Sequence, residues 1–158
     1  MDMSSGVAHK LYLEDLEAGQ RFISRTHVVD EAQIKAFARE FDPQPFHLDH
    51  DAANDSLFAG LVASGWHTAA ITMRLLVETG LPLADGIIGA GGELVWPKPT
   101  RPGDTLQVES EVLEVKPSHS RPDRGVVTTR ILTRNQKNEI VQSLTAKLIV
   151  LRRRSIRG

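Results

Sequence analysis

The chain has 158 residues, the length of one domain, and its 41% hydrophobic content suffices for a core. A formal net charge of −1 leaves no field of either sign to draw in nucleic acid or an anionic membrane. With no cysteine, disulfides, thiolate metal sites and a cysteine nucleophile are excluded. Aromatic residues make up only 5%, so the core falls to Val, Leu, Ile and Ala.

The first residues, Met1 to Lys10, hold no apolar stretch of signal-peptide length, and no later run approaches the roughly 18 apolar residues of a membrane span. A soluble, cytoplasmic protein is the expectation. Arg21–Val29 has the β-branched residues and partial alternation of a strand. Asp30 is placed to cap a following helix, with Gln33 at capping-box spacing. Ile34, Phe37, Ala38 and Phe41 then recur at helical intervals, predicting a short amphipathic helix over Glu31–Phe41. Pro43 and Pro45 end it and make Asp42–Asp49 a stiff loop. One helical turn is expected over Asp51–Ser56.

Ser64–Thr79 reads as a longer helix that has a single charged residue, Arg74, before Glu78, and so should be buried nearly all round. Gly80 and Pro82 close it. Strands follow at Gly86–Trp96, Thr105–Lys116, Gly125–Thr133 and Glu139–Leu151, with turns at Pro102-Gly103-Asp104 and Asn135–Asn138. In the second of these, Leu106 and Val108 share one face and Gln107 and Glu109 the other. Strand, helices, then a run of strands predicts an α+β domain with an antiparallel sheet curled around the long helix, a hotdog arrangement. It is read as one domain over residues 1–158 with a core of about 13–152.

Two features carry candidate chemistry. Asp42 and His47 are two acid–base groups on one proline-stiffened loop, a construction suited to activating water. The plainer reading makes Asp42 a turn residue and His47 a solvated histidine. Ser64-Gly65 opens the long helix, where first-turn N–H groups lack internal partners and carry partial positive charge. Gly65 would let a ligand oxygen approach such a donor. The alternative is a capping Ser64 and a Gly65 that permits close packing.

Weaker signals have plainer readings. His67 reads as a core or interface histidine. His47, Asp49, His50 and Asp51 fit no zinc spacing, so no metal site is assigned. The glycines of 86–92 precede a strand rather than a helix and read as strand bending or close strand–helix contact. The arginines of 117–125, the pair Lys98 and Arg101, and the basic end Arg152, Arg153, Arg154 and Arg157 are each open to an anion-binding or a solvated reading.

Asp42-Pro43-Gln44-Pro45-Phe46-His47 resembles the D-x-N-P-x-H signature of MaoC-like dehydratases and (R)-specific enoyl-CoA hydratases. Gly65 resembles the family's glycine at the start of the hotdog helix, and Arg101-Pro102-Gly103-Asp104-Thr105-Leu106 its P-G-D-T-L turn. The departures are Phe41 for a glycine, Gln44 for the asparagine and Ser64 for a histidine that often precedes the helix glycine. The resemblance implies a catalytic pair Asp42 and His47. It also implies thioester binding at Gly65, with Ser64 and Gln44 beside it. The reaction implied is reversible hydration of a 2-enoyl thioester to an (R)-3-hydroxyacyl thioester, with no metal or organic cofactor. The implied partner is an acyl-CoA or acyl carrier protein thioester, and the implied assembly a homodimer. A thioesterase and a non-catalytic acyl-CoA-binding subunit are the rivals. Hotdog thioesterases generally carry an acid on the central helix, and Ser64–Val77 has none.

Overall fold

The computed structural model describes residues 10–154. A 3-10 turn (Leu13–Asp15) leads into β1 (Arg21–Val28), then α1 (Glu31–Phe41), α2 (Pro45–Leu48), α3 (His50–Asn54) and α4 (Gly65–Leu75). A π turn (Leu76–Gly80) continues α4, and β2 (Ile88–Val95), β3 (Thr105–Pro117), β4 (Arg124–Arg134) and β5 (Ile140–Leu151) complete the chain. All five strands form one antiparallel sheet in the order β1-β3-β4-β5-β2. The sheet wraps α4, the hotdog fold that the pattern predicts.

Alternation decides which face is inside. Leu106, Val108 and Val112 of β3, Val127 and Ile131 of β4, and Ala146, Leu148 and Val150 of β5 are buried and form the core with Ile71, Leu75 and Leu76. The opposite face carries ion pairs such as Arg21–Glu109 and Arg130–Glu111. In β5 the register slips opposite Thr133–Arg134, leaving Val141 as the extra residue of a bulge. Consequently Val141 and Gln142, neighbours in sequence, are both buried.

Several expectations need correction. The helix over 64–79 is not buried all round: Trp66, Met73 and Val77 are 61%, 43% and 53% exposed and form a stripe along one side. The composition was apolar because the helix faces the sheet on one side and presents an uncovered apolar flank on the other. The 42–49 loop contains the helical turn α2, started by Pro45 at its first position, where a missing N–H costs nothing. The capping box at Asp30 is only half formed. Gln33 N–H donates to Asp30 Oδ1 (2.8 Å), but the Gln33 side chain turns to His27 and the Val28 carbonyl. The glycines of β2 do bend the strand, with a bulge between Gly89 and Gly91. Gly92, however, lies against another strand, since a Cβ there would meet the Thr145 carbonyl at 2.5 Å. Within the C-terminal basic run Arg153 is anchored rather than free: it pairs with Asp15 and lies over the Tyr12 ring. Arg157 and Met1–His9 lie outside the described residues.

Candidate active site

The site is assembled by three segments. α1 ends at Asp42, whose N–H donates to the Ala38 carbonyl, so the carboxylate projects from a helix terminus. α2 carries His47. The 62–63 stretch ties these to the rest: Val62 N–H donates to the Phe46 carbonyl, and Ala63 N–H to that of Thr100.

His47 is 4% exposed and its Nδ1 lies 2.6 Å from the Val62 carbonyl. A carbonyl only accepts, so Nδ1 carries the hydrogen and the lone pair of a neutral ring falls on Nε2. Nε2 faces Asp42 Oδ2 at 3.2 Å. At that distance the two atoms share a proton or, with the ring neutral, turn toward the same water. The other oxygen, Asp42 Oδ1, accepts from Gln44 Nε2 at 2.6 Å. Burial is the strongest influence on Asp42 and pushes its pKa up. Hydrogen bonds from the Ser64 hydroxyl and the Gln44 amide, with the attraction of the His47 ring when it is protonated, outweigh it and hold the carboxyl below its usual value.

Ser64 serves both sides. Its hydroxyl donates to Asp42 and its Oγ accepts from Trp66 N–H at 3.2 Å. The Ser64 carbonyl accepts from His67 and Thr68 N–H at 3.0 and 3.1 Å. Of the first four N–H groups of α4, Gly65 N–H is the one the described residues leave over. Gly65 also has the packing role set against it: an added Cβ would stand 2.7 Å from the Trp96 ring. The indole N–H of Trp96 in turn donates to Gln142 Oε1 at 2.9 Å.

Asp42, Gln44, His47, Gly65, Trp66 and Trp96 share one cavity of about 520 Å³. Ser64 touches it through Asp42. The remaining candidates lie elsewhere or are engaged. His67 is a buried histidine stacked on Phe37 (4.7 Å between centroids), its Nδ1 without a partner, and desolvation lowers its pKa to about 4. Asp49 caps α3 and His50 pairs with Glu31, and the described residues hold no cluster able to bind a metal. Arg124 pairs with Asp123 in the 117–125 loop. Lys98 pairs with Glu139 at the cavity mouth, and Arg101 donates to the Phe58 carbonyl. Glu78 is ion-paired to Arg25 and Arg74 and is not among the cavity's walls.

Sequence reasoning missed Trp96, Gln142 and the Val62 carbonyl. A tryptophan before Pro97-Lys98-Pro99 in a chain poor in aromatics was an available signal. A backbone acceptor leaves none.

The MaoC like domain family matches residues 15–135, and the chain belongs to it. A MaoC-like dehydratase from Rhodospirillum rubrum is 67% identical and superposes with a TM-score of 0.89, covering 90% of this chain and 98% of that one. The uncharacterized protein YdeM of Bacillus subtilis is 36% identical over 90% of this chain and 99% of its own length. A 3-hydroxybutyryl-CoA dehydratase of Methylorubrum extorquens is 34% identical over 70% of this chain and 69% of its own. No helix among the described residues is long and apolar enough to cross a membrane.

Proposed function

We propose that the protein adds water reversibly to 2-enoyl thioesters, giving 3-hydroxyacyl thioesters. The observation that carries the reading is the carboxylate–imidazole pair, Asp42 Oδ2 and His47 Nε2, 3.2 Å apart in the cavity that Gly65 also lines. In this reading one water binds beside the pair. As its oxygen attacks C3, one of the pair takes a proton, and a proton is delivered to C2, so water is added across the double bond. Gly65 N–H, reinforced by the α4 dipole, receives the thioester oxygen as it becomes enolate-like. Ser64 and Gln44 hold the carboxylate ionised and oriented. The reaction forms a C3–O and a C2–H bond as the π bond breaks, with no oxidant or reductant consumed, so the reading assigns no metal or cofactor. The dehydratase named among the relatives acts on a substrate of this class, and the signature resemblance favours the (R) product.

The test is loss of the enoyl-thioester ultraviolet absorbance with crotonyl-CoA, run beside an assay for free CoA thiol. Absorbance loss without thiol release supports hydration. Thiol release would favour a thioesterase, a reading for which Glu78 is poorly placed.

We also infer a homodimer. β2 is an uncovered sheet edge with Ile88 and Val95 42% and 56% exposed, and the Trp66–Trp96 contact (5.1 Å) joins its end to the exposed stripe of α4. A second copy covering this region would border the cavity mouth through Trp66.

A further inference from the structure

The cavity has an exposed and a buried end. Gln44, Trp66 and Lys98 are at the exposed end, while His47, Ala63, Thr68, Thr100 and Val141 are buried. Thr68 lies one turn after Gly65 on the same side of α4. Its hydroxyl is 2.9 Å from that of Thr100, and both residues are 2% exposed, so the floor is a closed hydroxyl pair.

The cavity does not reach the next turn. Thr72, 1% exposed, places Oγ1 2.6 Å from Thr133 Oγ1 on β4, joining the helix to the sheet. Thr133 is the cross-strand partner of Gln142. In an antiparallel pair such partners share a face, and here both point inward, 0% and 1% exposed. Thr133 therefore fastens α4 while its neighbour Gln142 fastens Trp96 over Gly65. This polar cross-strand pair on the inward sheet face closes the space between helix and sheet in two directions. A longer chain could enter only by parting Thr72 from Thr133; Thr72 would keep its bond to the Thr68 carbonyl, but the buried Thr133 hydroxyl would lose its partner.

We propose that Thr72–Thr133 and Gln142–Trp96 close the acyl end of this cavity about one helical turn past Gly65, so that the protein selects short acyl thioesters. The inference rests on the hydratase reading for the direction in which the acyl group points. Isothermal titration of the wild-type protein with butyryl-CoA and octanoyl-CoA tests it, because neither has a double bond to hydrate. Butyryl-CoA is expected to bind at least about tenfold more tightly, and Thr72→Ala with Thr133→Ala to raise octanoyl-CoA affinity by about tenfold as added methylenes find room. Thr72→Val with Thr133→Val keeps the volume filled and should not admit octanoyl-CoA. Octanoyl-CoA binding to wild type within tenfold of butyryl-CoA, or tighter, overturns this inference and leaves the hydratase reading standing. Binding of neither by folded protein overturns both.

Discussion

Asp42 and His47 face each other because each is held from behind by a different group. The Val62 carbonyl fixes the His47 tautomer, and Gln44 and Ser64 fix the carboxylate. Replacing either catalytic candidate (Asp42→Asn or His47→Ala) should lower the hydration rate by roughly a hundred- to ten-thousand-fold, with the fold retained by circular dichroism. His67 sets a separate prediction, on stability. Its ordinary value is 6.5 and its value in the fold about 4, so between these the unfolded chain binds more protons. The stabilisation is whole above pH 6.5 and is lost as the pH falls toward 4, up to about 3 kcal/mol for this shift. Melting temperatures measured from pH 7 to pH 4 should show the fall, and His67→Phe, which keeps a ring against Phe37, should shrink it. The residue types of the site were legible in the sequence because Asp42, Pro45 and His47 sit at fixed local spacing. The groups that orient them were not, since Val62 is 15 residues from His47 and acts through its backbone.

At the scale of elements, the start of α4 and the end of β2 are one packed unit. Gly65 has to be glycine for Trp96 to lie on it, whatever else its N–H does. Gly65→Ala should cost about 1–3 kcal/mol by overpacking, read as a lower melting temperature. Combined with Trp96→Ala, much of that cost should vanish, because the clash is with the indole. A purely local strain at Gly65 would leave the two effects additive. Strands and α1 were readable from periodicity, down to the inward set Leu106 and Val108. The bulge at Val141 was not, because a register slip depends on which strand lies alongside. It is this slip that turns Gln142 inward beside the site.

For the whole molecule, the apolar surplus of α4 needs a cover. Reading its composition as complete burial within one chain was an error of scale: Trp66, Met73 and Val77 are apolar and exposed on the single chain. Sedimentation at micromolar concentration should give a homodimer, and Met73→Glu with Val95→Glu should shift it toward monomer, since charges are poorly tolerated in an interface core. A wild-type monomer would contradict the covered face. The hotdog topology itself was legible because the order of helices and strands leaves few ways to bury one long helix.

The central claim is addition of water by this site, and proton NMR of crotonyl-CoA incubated with the protein in deuterium oxide tests it most directly. A 3-hydroxybutyryl thioester carrying one deuterium at C2, formed by wild type and nearly abolished in Asp42→Asn, is the predicted result. Unchanged crotonyl-CoA, or an Asp42→Asn protein that forms the product at the wild-type rate, would contradict it.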